Sequence, residues 1–176
     1  AVAVLDPKRP DCKYPYKELC GCGVGFKLLQ ALQMAQGLPE TALRAYLDLV
    51  AVAIAADIVP LTGENRALTA MGLEVLRDSP RPGLRALMAE TDPRNFQVSD
   101  LVFRMAPRIN AAGRMEHGEQ AVQLLVETDA QRAAGLAERI EALNTDRRET
   151  DQRITEEALG QIASVGSLQR HTTVVY

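Results

Sequence analysis

A single carboxylate at the end of an apolar run is the residue in this sequence whose position most needs a chemical reason. Asp57 follows the run LVAVAIAA and precedes IVPL, in the stretch AIAADIVPLTGENR. An unpaired charge in apolar surroundings is costly, so a positive partner is expected. An arginine would serve, and so would a hard cation, because magnesium and manganese prefer carboxylate oxygen. From these residues alone, pairing with an arginine is the favoured interpretation.

The segment PRINAAGRM, residues 107–115, has the residue types that bind phosphate. Arg108 and Arg114 carry fork-shaped guanidiniums, and Asn110 places an amide between them. Gly113 lets the backbone turn sharply, and the segment is predicted to be a loop. Arginines in loops also cap carbonyl groups or pair with carboxylates, so a structural role stays open beside the phosphate grip.

Other residues with reactive side chains give weaker patterns. The glycine-rich start of a helix in GCGVGFK, residues 21–27, can hold an anion on free N–H groups, but no Gly-Lys-Ser/Thr follows, and tight helix packing is favoured. His117 has no second ligand at metal spacing, which favours a solvated or capping histidine. The chain has an odd number of cysteines, and the pattern favours small free thiols in a reducing compartment over a metal site: Cys12, Cys20 and Cys22.

Composition limits the classes of protein that fit. The 176 residues are 47% apolar, which is enough to build a core, and carry 20 Lys+Arg against 23 Asp+Glu for a net charge of −3. That balance excludes a strongly basic protein that coats DNA, although it allows a local basic patch. The longest apolar run, residues 49–56, is too short to span a membrane. A protein of the cytoplasm without a membrane segment is expected.

Apolar spacing, capping residues and prolines predict a predominantly α chain, with short β-type stretches at residues 1–5 and in TTVVY. The predicted helices run from Gly21 to a stop at Gly37, from Pro39 to Asp57, from Thr62 to before Pro80, from Pro82 to Ala89, from Ser99 to Met105, and from Asp129 to Ser164. The β-branched stretch after Leu49 leaves a strand open there.

The last predicted helix is polar all round in its middle, NTDRRETDQR. A helix segment of this kind packs on nothing and often bridges two bodies. We therefore expect residues 144–153 to protrude from a helical body at residues 20–127, supported in solvent by the Glu149–Arg153 pair. A surface helix with one long charged turn is the alternative.

Three segments occur in an order that resembles a known family: DPKRPDCKYPYKELCGCGVGFKL, AIAADIVPLTGENRAL and FRMAPRINAAGRM. The chain is similar in them to the RecJ single-strand-specific DNA exonucleases of the DHH phosphoesterase superfamily. The resemblance implies an α/β parent enzyme with two domains joined by a long helix. It also implies a site for two divalent metals, manganese or magnesium, and removal of nucleotides from the five-prime end of single-stranded DNA in repair and recombination.

Carried onto this sequence, the resemblance makes Asp57 a metal ligand and gives Arg108, Asn110 and Arg114 a phosphate-contacting or site-supporting role. The family's Asp-His-His motif and its later glycine- and histidine-containing motif are not found here. The expected organisation is the second half of the catalytic domain at residues 1–127, the connecting helix at 128–166, and the start of the substrate-binding domain at 167–176. Such a segment is expected to be inactive alone.

Two other functions remain open at this stage. One is a phosphodiesterase of the same superfamily that acts on short oligonucleotides or cyclic dinucleotides. The other is a helical interaction module without chemistry.

Overall fold

The computed structural model describes residues 3–88, 91–114 and 118–164. The described residues are mostly helical and include no β-strand, which confirms the predicted predominantly α fold. The α-helices are α1 (Gly21–Ala35), α2 (Leu47–Ala56), α3 (Gly63–Asp78), α4 (Pro82–Met88), α5 (Val98–Asp100), α6 (Ala106–Arg114), α7 (Gly118–Val126) and α8 (Ala130–Ser164). Two 3₁₀ turns, Glu40–Tyr46 and Pro93–Asn95, and one π-helical turn, Leu101–Met105, lie between them.

Helix α2 is the centre of the molecule. Its sequence, LDLVAVAIAA, is apolar on every side, which is typical of a helix enclosed by others. Gly72 lets α3 approach α2 closely, because a Cβ atom there would lie 2.3 Å from the Leu47 carbonyl oxygen. None of the helices in the described ranges is long and apolar enough to cross a membrane.

Two groups of buried side chains pack against α2. The larger joins α2 and α3 to α4, the π-helical turn, α6, α7 and the first half of α8, and includes Leu76, Leu84, Leu101, Met105, Leu124 and Ile140. The smaller joins α2 to α1 and to the segment before it, and consists of Leu19, Cys20, Phe26, Leu47, Val50, Ile54 and Leu68. The burial of this apolar surface is the main force that holds the helices together.

Helix α8 keeps almost the predicted bounds, but it leaves the body later than predicted. Its buried stripe continues from Ile140 to Asn144, which is 6% exposed, so the first residue of the predicted protruding segment is packed on the body. Seven of the ten residues 144–153 are exposed, as predicted. Asn144 lies one helical turn after Ile140, on the same face of α8. Because the residues around Asn144 are polar, the sequence pattern does not show that this face is still buried there. From Asp151 onward nearly every described side chain is exposed.

Three local predictions differ from the structure. The predicted loop at residues 107–115 is helix α6 as far as Arg114, because Ala111 and Ala112 are wholly buried in the core and the π-helical turn runs directly into α6. The predicted helix from Pro39 to Asp57 is divided into a 3₁₀ turn and α2. Residues 3–5 form no strand, whereas the other residues of the two β-type stretches lie outside the described ranges.

Candidate active site around Asp57

Asp57 is the residue that ends helix α2. Its N–H group donates to the Ala53 carbonyl oxygen at 2.9 Å, and its side chain is exposed. Among the described residues no arginine or lysine pairs with the Asp57 carboxylate. The ion pair with an arginine that the sequence favoured is therefore not formed within the described residues. The negative end of the helix dipole disfavours an anion at this position. A carboxylate placed there with open oxygens is suited to a cation from outside these residues.

The chain turns sharply after Asp57. Ile58 has a φ of 53° and is 87% exposed. A β-branched residue in the left-handed region is strained, and such strain is concentrated at functional sites. The turn is held from two sides: the Tyr16 hydroxyl donates to the Thr62 carbonyl oxygen at 2.8 Å, and Asn65 Nδ2 donates to the carbonyl oxygens of Pro60 and Glu18 at 3.0 and 2.7 Å.

The glycine-rich segment and the Asp57 segment are joined by a second polar contact. The Tyr14 hydroxyl donates to both Glu64 carboxylate oxygens at 2.8 and 2.9 Å, and Lys27 Nζ lies 3.1 Å from the same carboxylate. Burial and the hydrogen bond to Glu64 raise the pKa of the Tyr14 phenol. The two sequence segments are therefore packed together through side chains that are distant along the chain.

Cys20 caps helix α1, since its Sγ accepts from the Gly23 N–H group at 3.3 Å. Burial raises the pKa of the Cys20 thiol, and the negative charge of Asp57 adds to the rise. Cys20 is buried in the same apolar cluster as Ile54 of α2. Across the described parts of the chain, no three His, Cys, Asp or Glu side chains form a group that could hold a metal ion.

The segment PRINAAGR meets the same end of α2. Asn110 Nδ2 donates to the Ala56 carbonyl oxygen at 3.2 Å, one residue before Asp57. Arg108 lies further away: its Nε contacts the Glu141 carboxylate of α8, and its Nη1 donates to the Arg104 carbonyl oxygen at 3.0 Å. Arg114 is the last residue of α6, with a side chain outside the described part, and His117 lies outside the described residues.

The structure also contains polar residues that sequence analysis did not single out. Asp48, 1% exposed, accepts from Arg81 Nε and Nη2 at 2.7 Å each. Arg81 Nη2 also donates to the Ala45 carbonyl oxygen at 3.0 Å, so the residue before α4 is tied both to α2 and to the 3₁₀ turn that precedes it. An unpaired charge in an apolar run is costly, and this holds more strongly for Asp48 than for Asp57. That cost is the sequence signal that could have identified Asp48 as a residue with a charged partner.

No protein-family model matches the chain. Individual relatives do: it is 40% identical over 166 residues to the single-stranded-DNA-specific exonuclease RecJ of Bacillus subtilis, which covers 93% of this chain and 20% of the relative. The RecJ of Escherichia coli is 38% identical over 171 residues, covering 90% of this chain and 30% of that protein.

Solved structures agree with these sequence matches. RecJ of Thermus thermophilus in complex with Mg²⁺ superposes with a TM-score of 0.74 at 38% identity, over 86% of this chain and 24% of that one. An exonuclease RecJ bound to manganese superposes with a TM-score of 0.76 at 38% identity, over 86% and 39%. The chain thus spans only a fifth to a third of the length of the curated relatives named here. In sequence and in fold, it corresponds to one segment of the RecJ single-stranded-DNA-specific exonucleases, as the order of its three segments predicted.

Proposed function

We propose that this chain is part of a metal-dependent exonuclease that removes nucleotides from the five-prime end of single-stranded DNA, in repair and recombination in the cytoplasm. The observation that carries the proposal is the identity of about 40% to RecJ proteins over nine-tenths of the chain. The convergence of the three matching segments on the end of α2 supports it. On this proposal residues 1–127 belong to the catalytic domain, residues 128–166 to the connecting helix, and residues 167–176 to the second domain.

Asp57 is proposed as a metal ligand. Its carboxylate is exposed and is not used by a described hydrogen bond or ion pair, so its oxygens fit the donor preference of Mg²⁺ and Mn²⁺. About six donors surround such an ion, and no described group of three acidic, histidine or cysteine side chains can supply them. The remaining ligands are proposed to come from other parts of the full-length enzyme.

The other residues of the site are assigned by their contacts. Divalent cations at this position would activate water and neutralise charge on the phosphate under attack. Asn110 fixes the carbonyl group before Asp57, and Asn65 and Tyr16 fix the turn after it, so the carboxylate is held from both sides. Arg108 supports the site by holding α6 to α8. Arg114 is proposed as the phosphate contact of this segment.

The test compares two carboxylates that both end helices in the manganese-loaded, full-length enzyme. Asp57→Ala should nearly abolish digestion of single-stranded DNA and leave the melting temperature close to that of the wild type. Asp78→Ala, which removes the exposed last residue of α3, is the matched control and should leave digestion unchanged. Near-normal turnover in Asp57→Ala would refute the metal assignment. If the wild-type enzyme does not digest single-stranded DNA, the proposal that it is an exonuclease is refuted.

A further inference from the structure

A hollow of about 240 Å³ opens beside the Asp57 turn, between the end of α2 and the facing sides of α6 and α8. Ala56 and Ile58, the two neighbours of Asp57 along the chain, both line it. Its other apolar walls include Val102 and Pro107. Two polar side chains complete it, Asn110 from α6 and Arg147 from α8, and none of the described residues that line the hollow is acidic.

Only some of the N–H donors of the Arg147 guanidinium form hydrogen bonds within the described residues. Its Nη1 donates to the Asp151 carboxylate at 2.8 Å, in an i,i+4 pair on the surface of α8. Its Nε is buried and has no hydrogen-bond partner among the described residues. A buried N–H donor without an acceptor is destabilising, because it has lost its bond to water and gained nothing in exchange. The Arg147 side chain as a whole is 30% exposed and lines the hollow, so the rest of its guanidinium can meet an acceptor there.

The residues that line the hollow indicate which kind of hydrogen-bond acceptor would bind there. A guanidinium presents parallel N–H donors that match phosphate oxygens. No carboxylate of the described residues lines the hollow itself; the carboxylates beside it are Asp57, which is proposed to bind a cation, and Asp151, which is paired with Arg147. The apolar walls suit the carbon face of a sugar. The volume is of the order of one nucleotide unit, and the position is next to the proposed metal ligand.

We infer that this hollow binds one phosphodiester and its sugar of the single DNA strand, with Arg147 as the phosphate contact. The inference rests on the proposed function and adds to it a binding residue on α8. Asn110, which holds the Ala56 carbonyl group, ties the floor of the hollow to the end of α2. A strand bound here would therefore contact the long helix and the Asp57 turn together.

The test is binding of a fluorescent single-stranded oligonucleotide to the full-length protein, measured by anisotropy over a range of salt concentrations, with the digestion rate as a second measurement. Arg147→Gln should raise the dissociation constant and KM at least about tenfold, lower the salt slope by about one, and change kcat much less. Arg147→Lys should recover the salt slope, because it keeps the charge, but not the full affinity, because it loses the fork.

Two controls separate phosphate binding from helix stability. Arg148→Gln removes the same charge from the neighbouring exposed position and should leave affinity unchanged. Asp151→Asn removes the partner of Arg147 within α8 and should not reproduce the loss. Unchanged affinity and salt slope in Arg147→Gln, or an equal loss in Asp151→Asn, would overturn the inference and leave the exonuclease intact. A wild-type protein that neither binds nor digests single strands would overturn both.

Discussion

The buried ion pair between Asp48 and Arg81 gives a sharp test of how the site is held. The side chain of Asp48 is 2% exposed and that of Arg81 is 21% exposed, and two hydrogen bonds of 2.7 Å join them. Removal of one member of a buried pair costs roughly 3–5 kcal/mol, since the other charge is left without a partner. The pair fixes helix α2, whose last turn carries Asp57.

Because the two members are unequally buried, the two substitutions should differ in how much they lower the free energy of unfolding. Arg81→Ala leaves a carboxylate that is 2% exposed and has lost its two charge-assisted hydrogen bonds, so its cost should be near the upper end, about 4–5 kcal/mol. Asp48→Ala leaves a guanidinium that still donates to the Ala45 and Leu125 carbonyl oxygens and is partly solvated, so about 3 kcal/mol is expected. The double variant should cost clearly less than the sum of the two single variants, because they share one interaction.

Urea unfolding of the four proteins would measure these differences. The matched control is Asp92→Asn, which breaks the pair between Asp92 and Arg94, whose side chain is 85% exposed. An exposed pair of this kind is worth less than about 1 kcal/mol, so the control should unfold almost as the wild type does. Additive costs in the double variant, or a cost for Asp48→Ala as small as that of Asp92→Asn, would refute the reasoning.

Three further outcomes are expected. Arg114→Ala in the full-length enzyme should weaken single-strand binding and lower its salt slope by about one; an unchanged slope with a large fall in melting temperature would instead make Arg114 structural. Ile58→Gly should raise the free energy of unfolding by about 0.5–1 kcal/mol in a denaturant titration, because glycine relieves the left-handed backbone at an exposed position, and a decrease would contradict the strain. The 176-residue chain by itself should neither retain manganese in equilibrium dialysis nor digest single strands, because it carries too few metal ligands. Robust digestion would show that this reasoning is wrong.

The helices of this protein are largely local in origin, and sequence analysis found most of them. Thr62 and Pro80 bracket α3, Pro82 begins α4, and the long stretch without proline predicted α8 nearly to its ends. Spacing of apolar residues and the residues at helix ends act within a few positions of the chain. Helices α6 and α7 are exceptions. No helix was predicted at α7, and in α6 the residues Asn110 and Gly113 suggest a loop, whereas the burial of neighbouring alanines in the core favours a helix.

The sequence by itself determined which residue types stand at which positions: a carboxylate at the end of an apolar run at Asp57, a guanidinium- and amide-bearing segment, and an order of segments that corresponds to RecJ. Only the tertiary structure decided which partners these side chains meet. Asn110 bonds to a carbonyl group 54 positions away, and Arg108 and Arg81 each reach a carboxylate 33 positions away. Such contacts depend on how helices pack, and helix packing is governed by buried surfaces whose pairing no local pattern contains. For the same reason, the exposure of Asp57 and the donor that Arg147 leaves free became visible only in the folded chain.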